Sequence, residues 1–353
     1  MKESKQLLIS FDYELFLGKN SGTVDNCIIN PTNRIIKIIE PYHIKAIFFV
    51  DTIYLIRLKE KSLRHNAAKS DYLTLKNQLI SLITKGHYLF PHIHAHWLDA
   101  NYEVDSNSWR LKDTSKYRFH NLEEHYKAQL FDDSVIFLKN LILPIDPNYK
   151  LDSYRAGGWC IQPFIGFKPY FEKYNIVNDF SVTPGLESNA SINFFDFKNV
   201  KKDIYTFVDD VTKDEDGNFY EFTTSVNSID RFQYFVNKIE RKILWVLKIN
   251  NIGDGTAIDI KDQKYVKSSN MFLSIDTLLI SGIPKLLYFI KKKNYVHFAS
   301  HPKMLSVYNI FLFKYLLKFI FNKYNVISDF RKIKSSIQVK TNRIKTEKPI
   351  ETL

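Results

Sequence analysis

The chain has 353 residues, 45% of them hydrophobic and 15% aromatic, and 50 Lys and Arg against 38 Asp and Glu give a formal net charge of +12. That apolar content can bury a sizeable core, which excludes a disordered chain, and only 11 Gly and 11 Pro exclude collagen-like or low-complexity classes. Cys27 and Cys160 lie far apart without CxxC spacing, so neither a disulfide framework nor a thiolate metal site is expected.

The opening MKESKQLLISFDYE carries a basic residue, but its apolar run is too short for a secretory leader. No window reaches the ~18 uninterrupted apolar residues of a spanning helix. A cytoplasmic chain is the expectation.

Short apolar runs alternate with longer amphipathic ones. QLLISF reads as a strand, and PTNRIIKIIEPY as a helix with Pro31 in its first turn. KAIFFVD is the next strand, followed by the helix YLTLKNQLISLITKG, closed by Gly86. HYLFPHIH is a strand, NLEEHYKAQLFDDSVIFLKNLI a helix capped by Asn121, and KLDSYRAGG a strand and loop. QPFIGFKPYFEKY and NIVNDFSV repeat the helix–strand unit. Residues 184–270 are irregular apart from the strand FYEFTTSV. IDTLLISGIPKLLYFIKKKN (helix), YVHFASH (strand), YNIFLFKYLLKFIFNKY (helix) and NVISDF (strand) restore the pattern.

This alternation predicts a parallel sheet with helical crossovers. Seven or eight units suit a distorted (β/α) barrel over residues 1–330, with 184–270 as an irregular insertion. An open doubly wound sheet would carry a Gly-rich phosphate loop after the first strand, where DYELFLGKNSG stands instead. Residues 331–353 hold seven Lys or Arg against two Glu and read as a basic flexible tail. In YNIFLFKYLLKFIFNKY, Lys314, Lys318 and Asn322 form a polar stripe, which suits a helix against a barrel wall. Peripheral contact of this basic chain with an anionic membrane is the minority expectation, and nucleic acid is not expected, because no binding motif accompanies the charge.

Parallel β/α folds keep their chemistry at the carboxyl ends of strands. There the sequence places Asp12 and Glu14, then His92, His94 and His96, then Arg155, Asp179 and His301. A lone residue of this kind is usually a turn, cap or hydrogen-bonded core residue. Three of the ten histidines within five positions, with carboxylates at another strand end, point instead to a functional cluster. Two imidazoles and a carboxylate suit a zinc-like divalent ion, and the same set holds ferrous iron on other scaffolds. His92 and His96 converge if the strand turns after Pro91, with Asp12 or Glu14 supplying oxygen. An HExxH zincin is excluded, because Ile93 follows His92.

SFDYE, HIHAH, RAGGWCIQP, DFSV and HFASHPK occur in the order and near the spacing found in polysaccharide deacetylases, the NodB-like carbohydrate esterases, over roughly residues 5–330. The chain resembles that family. The resemblance implies a distorted (β/α) barrel and metal-dependent removal of N-acyl, usually N-acetyl, groups from amino sugars. By it Asp12 is the general base, His92 and His96 are metal ligands, Arg155 holds the base carboxylate and His301 is the acid. Tyr13 stands where many members carry the metal-binding Asp. On a strand Glu14 shares the face of Asp12 while Tyr13 does not, so Glu14 is taken as the third ligand. His94 shares that face too and receives no role. Trp97, Trp159 and Asp179 are candidate substrate contacts. Hydrolysis of a non-sugar amide, or a sugar-binding barrel without activity, are the competing readings.

Overall fold

The computed structural model describes residues 2–337, except 19, 112, 114, 191, 192 and 257–269. Nine strands form the main sheet: β1 Ser4–Tyr13, β2 Ile47–Asp51, β3 Tyr88–Ile93, β4 Ser153–Ala156, β5 Asn178–Asp179, β6 Ile204–Phe207, β7 Phe219–Phe222, β8 Tyr295–Ser300 and β9 Asn325–Ile327. Their order is β6-β7-β5-β4-β3-β2-β1-β8, with β9 also paired to β1. All pairings are parallel except β6 with β7. The helices are α1 Asn30–Ile39, α2 Thr52–Ser62, α3 Asn66–Thr84, α4 Glu124–Ile142, α5 Lys168–Tyr174, α6 Arg231–Val246, α7 Ile283–Lys292 and α8 Val307–Lys323.

β2 is buried at every position and β1 at nearly every one, because helices cover one sheet face and the curl encloses the other. Such strands read as continuous apolar runs, which is why KAIFFVD and QLLISF were legible. The sheet curls into a half-barrel. Beyond β7 the chain reaches across to β8, where the Ser225 N–H donates to the His297 carbonyl (3.2 Å) and the His297 N–H to Ser225 Oγ (3.0 Å).

Several local expectations change. α2 is a helix that the apolar pattern does not predict. It starts directly at the end of β2, where Asp51 caps it by accepting the Tyr54 N–H (3.3 Å). Its buried apolar residues, Ile53, Tyr54, Leu55 and Leu58, form a clump rather than a spaced stripe, so periodicity gives no signal. Asn121 lies in a short 3₁₀ turn, and Glu123 precedes α4 instead. The 184–270 stretch is less irregular than expected, since it contributes β6, β7 and α6.

The tail also begins later than its composition suggested. Residues 330–337 are helical, and Phe330 and Ile333 are completely buried. Phe330 packs against Tyr88, Phe90, Phe180 and Phe222 and plugs the amino end of the barrel. Arg331 pairs with Asp152 (2.9 Å) and Lys334 donates to Asn178 (2.6 Å). Residues 338–353 of the expected tail lie outside the described residues.

Candidate active site

Strand alternation brings the first two groups together. Tyr13 turns to the helical layer, where its hydroxyl donates to Gln78 of α3 (2.8 Å). Asp12 and Glu14 turn the other way, toward the carboxyl end of the barrel, and both are buried. Arg155, at the end of β4, is completely buried. Its Nη1 donates to Asp12 Oδ1 (2.6 Å), its Nη2 to Ser10 Oγ (2.8 Å) and its Nε to the Phe180 carbonyl (3.0 Å). The guanidinium rests 4.2 Å from the centre of the Phe49 ring. Burial alone would raise the Asp12 pKa, but Arg155, His92 and His301 hold it well below the usual carboxylate range.

His301 closes the other side of Asp12. Its Nε2 lies 3.4 Å from Asp12 Oδ2, and its Nδ1 lies 3.5 Å from Asp276 Oδ2. Asp276 also accepts the His301 backbone N–H (3.0 Å), so it orients the ring that faces Asp12. Burial opposes charge on His301, yet Asp12, Asp276 and Glu14 together carry its pKa up to about 10. With 26% of its side chain exposed, His301 stands at the mouth of the site.

Glu14, His92 and His94 offer ligand atoms that all lie within 4.8 Å of one another. His94 takes the place in this donor set that the HxxxH spacing assigns to His96. Backbone geometry gives the reason. The chain stays extended through His94 (φ −115°, ψ 95°), so His92 and His94 share a face, whereas His96 falls within the 3₁₀ turn Ala95–Leu98. There the His96 ring stacks on Tyr117, with centroids 5.8 Å apart. Gly157 lets the loop after β4 come close, because a Cβ there would lie 2.7 Å from the Ile93 carbonyl oxygen and 2.9 Å from the His94 ring.

The donor set has the character of a cation site. His94 Nε2 lies 2.6 Å from Glu14 Oε2, but off hydrogen-bond alignment, so that oxygen and both His94 nitrogens are buried without a hydrogen-bond partner. Orphaned buried donors and acceptors are costly, and groups whose lone pairs converge are relieved by a shared cation. The Nδ1 of His92 donates to the Arg155 carbonyl (2.9 Å), which aims Nε2 at Glu14, 3.5 Å away, and against its burial Asp12 and Glu14 raise the His92 pKa. Burial lowers the pKa of His94 and keeps the ring neutral, as a ligand must be. Residues present therefore fit a divalent ion. Both His96 nitrogens are also buried and unpartnered.

Lys303, the last residue of HFASHPK, is a site residue that the motif alone does not mark. It donates to Glu14 Oε1 (2.8 Å) and to the Leu15 carbonyl (2.7 Å), fixing the carboxylate. Burial would raise the Glu14 pKa, but Lys303 and His94 hold it well below normal. Asp276 and Asp51 gave no sequence signal of their own. Asp51, which accepts from Trp97 Nε1, has its pKa pushed to about 8 by burial and the nearby Glu14 charge.

Two of the candidate substrate contacts are corrected. Trp97 is 2% exposed and packs against Tyr54 and Trp109, so no sugar ring reaches it. Asp179 is completely buried beside Glu221 and accepts from Ser181 Oγ (2.7 Å), one layer beneath the site. Trp159 is half-buried, edge-on to Phe195 and Phe272, just after the loop that carries Gly157.

Solved structures similar to this chain include a Mycobacterium smegmatis protein assigned as a polysaccharide deacetylase, at 10% identity and a TM-score of 0.49 over 96% of this chain and 92% of that one. The peptidoglycan deacetylase PdaC from Bacillus subtilis follows at 11% identity and a TM-score of 0.28, over 90% of this chain and 93% of that one. No protein-family model matches the chain. No curated protein matches it either.

Proposed function

We propose that the chain is a metal-dependent hydrolase that removes an N-acyl group, N-acetyl first among them, from an amino sugar or glycoconjugate precursor. The observation that carries this reading is Asp12. It lies between a guanidinium and an imidazole and borders the Glu14, His92 and His94 donor set. The motif resemblance over SFDYE, RAGGWCIQP and HFASHPK supports the same roles.

Glu14, His92 and His94 would hold the ion, with zinc as the proposed metal. When bound, such an ion lowers the pKa of coordinated water and polarises the amide carbonyl. The protein groups supply the proton transfers. Asp12, kept ionised by the charge-assisted bond from Arg155, accepts the proton of the attacking water. His301, protonated and oriented by Asp276, donates to the departing amine. Trp159, the half-buried ring of the Gly157 loop, is the proposed sugar contact. Lys303 and the His92–Arg155 hydrogen bond keep the donor set in place. A cytoplasmic location with peripheral contact to an anionic membrane belongs to the proposal. Among the described residues, no helix is long and apolar enough to cross a bilayer.

The test is a screen of N-acetylated sugars, sugar nucleotides and lipid-linked sugars with the zinc-loaded protein, following acetate release. Asp12→Asn should cut turnover by about 10²–10⁴ while leaving about one ion per chain. Wild-type rates in that variant would remove Asp12 from its role.

A further inference from the structure

α6 is built inside out. A surface helix normally turns its apolar stripe to the body of the protein and its polar face to water. Here the contacts to the body are polar. Gln233 donates to the Ser281 carbonyl (3.1 Å), Ser281 Oγ donates to Asn237 (3.0 Å), and Glu240 accepts from the Ile280 and Ser281 N–H groups (2.8 and 2.9 Å) and from the Tyr308 hydroxyl (2.6 Å).

The apolar residues face water instead. Phe232, Phe235, Ile239, Ile243 and Val246 recur every three or four positions and are 76%, 59%, 45%, 52% and 63% exposed. Trp245 is 72% exposed at the end of the helix. Alongside the stripe run exposed Arg231, Lys238 and Lys242, also at helical spacing, with Arg241 and Lys248 nearby. The two carboxylates of this region are already engaged. Asp230 caps the helix and pairs with Lys285 (3.0 Å), and Glu240 points inward. The start of α8, tied to α6 by Tyr308, adds exposed Val307, Phe311 and Tyr315, with Lys314 and Lys318 beside them.

We propose that α6 is the docking surface of this protein for an anionic lipid bilayer. The charge pattern selects that occupant: an aromatic and aliphatic stripe bordered by cations matches the acyl boundary and anionic headgroups of a membrane surface. A second copy of the same chain would instead set these cations against one another. The surface also adjoins the site. After α6 the chain returns over the barrel mouth, where the Ile252 N–H donates to the Leu305 carbonyl (2.7 Å) and Gly253 abuts Lys303, the residue that holds Glu14. Together with the proposed hydrolysis, this placement favours an amino sugar carried on a lipid. That extension rests on the functional reading above, whereas the docking is measured without any activity.

The full-length chain is to be sedimented with phosphatidylcholine vesicles, with and without phosphatidylglycerol. It should bind the anionic vesicles at low salt, bind less at high salt, and bind neutral vesicles weakly. The triple variant Arg231→Gln, Lys238→Gln, Lys242→Gln should lose about a hundred-fold in affinity, since each cation at an anionic surface contributes about five-fold. Phe235→Ser, Ile239→Ser, Ile243→Ser should lose binding as well. These positions are exposed, so both variants should keep the wild-type circular dichroism and melting profile. Fluorescence of Trp245 should shift to the blue on anionic vesicles. Failure of the wild-type chain to bind overturns the proposal. So does binding that survives both variants, which would belong to the basic residues beyond 337. A dimer dispersed by the serine variant in the absence of vesicles would make a second copy the occupant instead.

Discussion

At the amino end of the barrel, Phe330 sits among four aromatic rings, and the charged groups beside it are paired, Arg331 with Asp152 and the Tyr88 hydroxyl donating to Asp329. At the carboxyl end, Glu14 Oε2 and four nitrogens of His94 and His96 are buried with no hydrogen-bond partner. Among the described residues, orphaned ring nitrogens converge with a carboxylate oxygen only at the carboxyl end. Burial without satisfaction is unfavourable for folding, and it is tolerated where a ligand completes the set. The comparison teaches where stability and chemistry reside in the same barrel.

The sharpest way to break this contrast is at the donor set. His94→Ala should lose the bound divalent ion and with it turnover, while His96→Ala should keep about one ion per chain by metal analysis. The opposite outcome would restore the HxxxH pairing that the sequence suggests. Asp12→Asn comes next: with the ion retained, turnover should fall by about 10²–10⁴, the usual contribution of a positioned general base.

At the amino end the expected effects are on stability. Phe330→Ala should cost about 3–5 kcal/mol in urea unfolding, because the rings around it leave little room to collapse. Unchanged stability would mean that residues 330–337 do not plug the barrel. The smallest effect concerns the layer between the two ends. Burial and the adjacent Asp179 raise the Glu221 pKa well above normal, and burial raises that of Asp179, so the pair holds a proton when folded. Folding therefore takes up a proton above the unfolded carboxyl range. This contribution is complete below about pH 4 and declines as pH rises, by at most about 1.4 kcal/mol per pH unit. Glu221→Gln should flatten that slope in unfolding measured between about pH 6 and 8. An identical slope in the variant would place the proton elsewhere.

Most of the strands and long helices were legible because buried parallel strands are apolar runs and their crossovers are amphipathic. α2 escaped because it begins at Asp51 without a spacer and its apolar residues are clumped. Phe330 and Ile333 were hidden inside a basic segment whose charge dominated its composition. At the site, local alternation was enough to separate Asp12 and Glu14 from Tyr13, since that distinction needs only a strand. Asp276 and Lys303 were beyond reach as site residues. Their roles come from a loop and a 3₁₀ turn folding back on His301 and Glu14, which no spacing announces.

The sequence alone determined which face of β1 carries carboxylates and that imidazoles crowd the end of β3, because period-two geometry is a property of neighbouring residues. Which imidazole meets Glu14, what holds Asp12 ionised, and why α6 shows its apolar side to water were decided only by tertiary structure. Those are matters of contact between residues far apart in the chain, and each depends on where the curl of the sheet brings the strand ends together.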